Sequence, residues 1–387
     1  MDFDLSPEQL MLQESVRDFV KRECTTEVID GCFRLGRCQP ELWRRLAEAG
    51  WLGVSIPEAY GGAGGDILDL TLVAEQLGRA GPVMSPYLAS TCFGGKTIGL
   101  FGTEAQKREF LPRLAAGELI FALSISEPGG GTDVLGAMST RARPEGGGWI
   151  LTGQKMWTSN GQIADYLVVV ARTTPRADVA KAAEGVSVFL VPRDAPGITM
   201  QKVQTVIHHC DTNLVFYDDV RLPADAVIGE VDRGFYQLLA TLNNERILIA
   251  ARCLGIGEAA FAEAAAYAAE RKAFGKPIGQ FMALQHQLAD SATELEAARW
   301  LTYRAAWLQA RERPCGVEST MAKMYAAEAA FNTCDRAVQI QGGMGLVEDS
   351  PVQRWYRESR LFRIAPVNNE QCRNMLAEQI TGLPRAY

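Results

Sequence analysis

Trp149-Ile150-Leu151, Tyr166-Leu167-Val168-Val169-Val170-Ala171, Val186-Ser187-Val188-Phe189-Leu190-Val191 and Leu214-Val215-Phe216-Tyr217 are short runs rich in β-branched and aromatic residues, separated by Gly, Pro and Asp. Such runs predict strands. They make the stretch from Ile120 to Ile228 a compact antiparallel β domain of about 110 residues. On either side the apolar spacing changes to the helical period. Upstream, Ser6-Pro7-Glu8-Gln9 offers an N-cap, a proline at N1 and a capping-box glutamine ahead of Leu10, Val16, Phe19 and Val20. Further helical segments follow at Glu41 to Ala49 and Leu68 to Leu77, divided by the break Tyr60-Gly61-Gly62-Ala63-Gly64-Gly65. From Gly234 onward the chain is alanine-rich, with helices expected near 234–271, 282–311, 316–342 and 366–380, a four-helix bundle. The expected fold class is therefore α+β multidomain: an N-terminal helical domain (1–120), a middle antiparallel β domain (121–232) and a C-terminal four-helix bundle (233–387).

Composition narrows the function. With 39 Lys+Arg against 46 Asp+Glu, the 387 residues carry a net charge of −7. That balance argues against nucleic acid, whose phosphates need a dense basic face. No apolar run reaches the roughly 18 residues that span a bilayer, and the acidic start MDFDLSPEQL lacks a signal-peptide pattern. A soluble cytoplasmic protein with no membrane span is expected. The nine cysteines are odd in number and contain no CxxC pair, so they read as reduced thiols. His208-His209 has no accompanying ligand cluster, so no metal site is expected.

Two nucleotide-like strings fail on context. Gly95-Lys96-Thr97 resembles the end of a P-loop, but Ser90 stands where the first glycine is required and no strand precedes it. Gly255-Ile256-Gly257-Glu258-Ala259-Ala260 fits GxGxxA, yet it lies within a helical pattern, where small residues serve close packing.

A third group of strings carries chemistry. Ser126-Glu127-Pro128-Gly129-Gly130-Gly131-Thr132-Asp133 puts hydroxyls beside a three-glycine loop whose backbone N–H groups can approach an anion. Lys155-Met156-Trp157-Thr158-Ser159-Asn160-Gly161 follows an aromatic with two hydroxyls, able to cover a conjugated ring and bond its edge. Each alone is also an ordinary turn or hairpin end. With Arg271-Lys272-Ala273-Phe274-Gly275-Lys276-Pro277-Ile278 and Gln339-Ile340-Gln341-Gly342-Gly343-Met344-Gly345, in this order and spacing, they resemble the acyl-CoA dehydrogenase family. The resemblance extends from Pro57-Glu58-Ala59-Tyr60-Gly61-Gly62 to the last helix.

The resemblance implies FAD held between the β domain and the bundle, an acyl-CoA substrate, an electron-transfer flavoprotein as acceptor, and a homotetramer or homodimer. It makes Ser126 and Thr132 the hydroxyls on the flavin pyrimidine edge and the pyrophosphate, Trp157 the tryptophan beside the isoalloxazine, and Ser159 the hydroxyl on flavin N5. Arg271, Phe274, Gln339 and Gly343 are similar to residues reaching the ADP half of a neighbouring subunit's FAD, and Asn368 and Glu370 to a stretch contacting the cofactor in the same chain. Met282 departs from the glutamine usual near the adenine.

Desaturating an acyl thioester needs a carboxylate to take the α proton while the β hydrogen leaves as hydride to flavin N5. Many family members carry this glutamate in the last loop, where this chain has Pro366. A second branch supplies it from the first bundle helix, directly before an arginine, which matches Glu245-Arg246 and implies a substrate-side role for Arg246. Leu238, Leu242, Leu248 and Ile249 stand at −7, −3, +3 and +4 from Glu245, so its carboxyl projects from an apolar stripe that should raise its pKa. A buried ion pair is the alternative role for Glu245, although adjacent helix residues diverge by about 100°. Pro366 also removes a backbone N–H that would polarise the thioester carbonyl, leaving Val367 or another amide to do so. The altered loop keeps an enoyl-CoA reductase and a flavin-dependent monooxygenase beside dehydrogenation, and an inactive assembly partner is a separate, non-enzymatic reading.

Overall fold

The computed structural model describes residues 4–207 and 210–384; His208 and His209 lie outside the described residues. Helices come first: α1 (Pro7–Glu23), α2 (Thr26–Leu35), α3 (Pro40–Glu48), α4 (Ile67–Gly78), α5 (Met84–Leu88), α6 (Thr97–Phe101) and α7 (Glu104–Ala115). The strands follow: β1 (Phe121–Ser124), β2 (Arg141–Glu145), β3 (Gly148–Ser159), β4 (Tyr166–Arg172), β5 (Val186–Pro192), β6 (Ile198–Lys202), β7 (Thr212–Leu222) and β8 (Val227–Ile228). Then come α8 (Gly234–Glu270), a hairpin of β9 (Lys272–Ala273) and β10 (Lys276–Pro277), α9 (Met282–Ala310), α10 (Gly316–Gln341), α11 (Pro351–Phe362) and α12 (Asn369–Thr381).

Local rules account for many boundaries. Ser6 caps α1 as a capping box, accepting from the Gln9 N–H at 3.2 Å while the Gln9 side chain accepts from the Ser6 N–H at 3.1 Å. Two features differ from the sequence expectation. Among the described residues after 233 there are five long helices, because α11 forms behind the N-cap Ser350 and Pro351 from a polar sequence that hides its apolar positions Val352 and Phe362. The sheet is antiparallel except at β4, where β1 pairs in parallel over its whole length and Arg141 of β2 makes one parallel bridge to Arg172. The long connection from β1 to β4 contains the β2–β3 hairpin, which gives the chain room to return in the same direction.

Contacts group the chain into two compact units assembled from separated segments. One comprises residues 26–66 and 85–242. Its sheet runs β6-β7-β3-β2-β4-β5-β8 with β1 beside β4. Val168, Val170, Val188 and Leu190 pack with Phe110, Leu111 and Leu114 of α7, and Leu167, Val169, Phe189 and Val191 point into a second cluster with Leu151, Val215 and Tyr217. Both clusters draw on alternate residues of the same strands, which is why these runs read as continuously apolar. Gly95 and Lys96 lie within a π-helical run, Ala89–Lys96, and not in a phosphate loop.

The other unit comprises residues 1–25, 67–84 and 243–387. Here the GxGxxA string is a packing device. A Cβ on Gly255 would stand 2.1 Å from the Glu75 carbonyl oxygen, and one on Gly257 would stand 2.5 Å from a methyl of Leu295. The small residues let α8 lie directly on α4 and α9, as expected for an interior at crystal-like density. The nine cysteines, all among the described residues, form no disulfide. Among the described residues no cluster suits a metal ion, and no helix is long and apolar enough to cross a membrane.

Candidate active site

In the sheet-containing unit, the two hydroxyl-bearing strings are brought together. The Met156 N–H donates to the Ser126 carbonyl at 2.8 Å, and Ser124 Oγ lies 3.0 Å from Thr158 Oγ1 and 2.8 Å from Tyr217 Oη. Beneath them Lys155 and Glu127 form a buried pair at 2.9 Å, and Lys155 Nζ also donates to the Ile125 carbonyl at 2.9 Å. Glu127 further accepts from the Ser139 N–H and Oγ–H and from the Thr140 N–H. Burial would raise the Glu127 carboxyl, but the Lys155 ammonium and the Ser139 donors outweigh it and hold it at about 2. Both residues stand inside the two motifs, and only the fold shows that they bolt one motif to the other.

This framework leaves the outward groups open. The β3–β7 register shifts between Lys155 and Thr158, and Trp157 takes a left-handed backbone (φ 66°) with its ring half exposed. A bulky residue held in that conformation stores strain, a feature concentrated at functional sites. Among the described residues the hydroxyls of Ser126 and Ser159, both half-buried, have no protein partner. In the glycine loop, Cβ atoms at Gly129 and Gly131 would meet nothing within 4 Å, and the exposed Thr132 lies beside this open backbone. An aromatic face, two uncommitted hydroxyls and an accessible run of amides suit the face, edge and phosphates of a flavin dinucleotide.

In the bundle-containing unit, Glu245 of α8 is buried, as are Leu248 and Ile249 one turn further along the helix, and it accepts no hydrogen bond among the described residues. Burial pushes its carboxyl up to about 7, against the opposing fields of Arg246 and Lys323. Arg246 does not bridge it: its Nη1 donates to Asn243 Oδ1 at 3.3 Å and its Nη2 lies 4.0 Å from Met375 Sδ. Arg246 Nε and both polar atoms of Asn244 are buried without partners. Three consecutive buried polar side chains thus keep bonding capacity for a group outside the chain, since such atoms are otherwise almost always satisfied. Lys323, which sequence reading missed, stands alone among alanines and gave no motif to find.

The other expected residues lie elsewhere in this unit. Phe274 (φ 52°) and Gly275 (φ 82°) form the two-residue turn of the β9–β10 hairpin, the geometry of a type I′ turn, where Phe is strained and its ring is 94% exposed. Arg271 is exposed beside it. Gln339 and Gly343 flank the end of α10 and are exposed, and Met282 opens α9, exposed as well. Among the described residues no hydrogen bond or ion pair joins the hairpin to the α10 end. Asn368 caps α12, accepting from the Gln371 N–H at 2.7 Å, and the exposed Glu370 is 3.9 Å from Arg373. Pro366 follows a cis peptide, and the Val367 carbonyl accepts from Lys323.

Comparison with known proteins finds matches along most of the chain. Residues 6–118, 122–220 and 232–381 match the N-terminal, middle and C-terminal domains of acyl-CoA dehydrogenase, respectively. The chain is 36% identical over 385 residues to the probable acyl-CoA dehydrogenase YngJ of Bacillus subtilis (strain 168), covering 98% of this chain and 100% of that one. It is also 36% identical to the caffeyl-CoA reductase-Etf complex subunit CarC of Acetobacterium woodii, covering 93% of this chain and 94% of that one. A structure of glutaryl-coenzyme A dehydrogenase with glutaryl-CoA superposes with a TM-score of 0.94 at 33% identity, covering 100% of this chain and 98% of that one. The class so defined is that of flavoprotein oxidoreductases acting on CH–CH groups. The chain belongs to the acyl-CoA dehydrogenase family.

Proposed function

We propose that the protein desaturates an acyl-CoA thioester between its α and β carbons with FAD as cofactor, Glu245 acting as the base. The observation that carries this reading is a buried glutamate without a hydrogen-bond partner, its carboxyl near 7, at the position where one branch of the family keeps its base. Bound FAD supplies the acceptor for the β hydrogen and its electron pair. Ser126, Thr132, Trp157 and Ser159 would hold the flavin and its phosphates, with Arg271, Phe274, Gln339 and Gly343 serving the FAD of a neighbouring subunit and Asn368 and Glu370 adding same-chain contacts. Glu245 removes the α proton and keeps it in a water-poor setting, where a carboxylate is a stronger base than at the surface. The unpaired atoms of Asn244 and Arg246 suit the polar part of the thioester substrate. Electrons then pass to an electron-transfer flavoprotein, a partner favoured by the Etf complex of the A. woodii relative. A homotetramer or homodimer fits the exposed Phe274.

The test is anaerobic. Purified protein should be yellow and bleach with one or more members of an acyl-CoA panel, and yellow protein that no acyl-CoA bleaches would overturn the reading. The same relative favours a second reading, reduction of an enoyl-CoA with Glu245 delivering the proton. Dithionite-reduced protein reoxidised by enoyl-CoA faster than the oxidised protein is bleached by acyl-CoA would select that direction.

A further inference from the structure

Arg172 ends β4 and is only 7% exposed. Burying a cation is costly unless carboxylates or hydrogen bonds answer it. Among the described residues no carboxylate pairs with Arg172. Its Nη1 donates to the Glu184 carbonyl at 3.2 Å, and its Nη2 donates to the carbonyls of Ala182 at 3.0 Å and Leu135 at 3.1 Å. Its Nε is buried without a partner. One guanidinium therefore grips two separate segments, the β4–β5 connection and the stretch that follows the three-glycine loop. A planar fork can reach carbonyls on both at once, which a single ammonium on a flexible stem cannot do as well.

The gripped stretch is a chain of turns. The Gly130 N–H donates to the Glu127 carbonyl at 3.0 Å, the Asp133 N–H to the Gly130 carbonyl at 2.8 Å and the Gly136 N–H to Asp133 Oδ1 at 2.9 Å. Buried cations hold both of its ends, Lys155 through Glu127 at the front and Arg172 through Leu135 at the back. Between these anchors Gly129 and Gly131 are open, and Gly131 stands at φ 45°. Consecutive backbone amides bind an anion well only when they are already set in place before it arrives.

We infer that Arg172 is a positioning residue for the phosphates of the cofactor: it ties the Leu135 end of the glycine loop to the β4–β5 connection and so sets the loop's amides in advance for a pyrophosphate. This rests on the glycine loop taking the pyrophosphate of FAD.

The experiment compares the FAD-loaded parent with Arg172→Lys and Arg172→Met. The phosphorus NMR resonances of the bound pyrophosphate, which report the groups around it, should move toward those of free FAD in the Met variant. Release of FAD on dilution, followed by the return of flavin fluorescence, should quicken about tenfold, the scale of one or two net hydrogen bonds. Arg172→Lys keeps the charge without the fork and should move both readouts in the same direction by less, so the inference stays testable if the Met variant does not fold. A lower unfolding midpoint in the folded variants, with resonances and release rate at the parental values, would make Arg172 an ordinary structural tie and overturn the inference. Gly131→Val separates this from the reading beneath it, since a branched side chain at that φ should disturb the loop directly. If Gly131→Val leaves both readouts at the parental values, it is the placing of the pyrophosphate at the glycine loop that fails.

Discussion

Glu75 and Glu245 are glutamates buried in the same unit, and burial pushes each carboxyl up to about 7. Their surroundings differ. Glu75 of α4 accepts from the Tyr303 hydroxyl at 2.7 Å and lies 3.5 Å from Arg299, which also reaches Glu258, itself paired with Arg79 at 2.5 Å. Gln13 closes the network by donating to Tyr303 at 3.1 Å. A cavity of about 260 Å³ adjoins Glu75, yet its carboxyl oxygens are already engaged. Among the described residues Glu245 accepts no hydrogen bond and feels the fields of Arg246 and Lys323, and its neighbours Asn244 and Arg246 carry unpaired atoms. An elevated carboxyl alone therefore does not mark a base. The distinction lies in whether the surrounding bonding capacity is used up by the protein or kept for a ligand.

The widest separation between the two should come from substituting each with glutamine. Glu245→Gln should retain flavin and lose at least about 10³-fold in the rate of flavin reduction, on the scale of removing a general base. Glu75→Gln should stay within about threefold of the parent in the same stopped-flow assay and lose about 1–3 kcal/mol of stability in denaturant unfolding, since a network member is replaced by one that satisfies it poorly. Equal loss of rate in both variants would erase the contrast.

A framework substitution tests whether the flavin-side motifs depend on their buried pair. Lys155→Met leaves Glu127 unpaired and should cost about 3–5 kcal/mol, read as a lower unfolding midpoint together with reduced flavin content. Unchanged stability would mean that Ser139 and Thr140 alone support the Glu127 carboxylate.

The pH behaviour of the two glutamates should be alike in stability and unlike in rate. Each carboxyl is raised above its ordinary 4.5, so its contribution to stability is fully present below pH 4.5 and is lost as pH rises through about 7. Unfolding followed across this window should show a shallower decline in either Gln variant than in the parent. Flavin reduction should instead rise with pH through about 7 and then level, because only ionised Glu245 accepts a proton, and this limb should persist in Glu75→Gln. The smallest effect belongs to the edge of the structural network: Gln13→Ala should cost about 1 kcal/mol or less, the net worth of one hydrogen bond, with no change in rate.

Local chemistry made much of the fold readable. The Ser6 capping box, the β-branched runs of β4 and β5 and the alanine-rich bundle helices each carry their own signal within a few residues. The helix α11 and the parallel pairing of β1 were not legible, because Val352 and Phe362 are diluted by charge and a strand's partner is chosen by distant sequence. Glu245 could be proposed from its apolar stripe and the motif Glu-Arg, whereas its lack of a partner required coordinates. Lys155, Glu127 and Lys323 look like surface charges in one dimension, and only the burial created by neighbouring elements reveals them as buried cations and anions.

The most direct measurement of the central claim separates proton removal from all later steps. A saturated acyl-CoA analogue that cannot be oxidised at the β carbon should be incubated with the FAD-loaded protein in deuterium oxide, and deuterium entry at the α carbon followed by mass spectrometry. The parent and Glu75→Gln should exchange the α hydrogen at similar rates, and Glu245→Gln should show none above the uncatalysed background. Exchange at the parental rate in Glu245→Gln would contradict the assignment of Glu245 as the base.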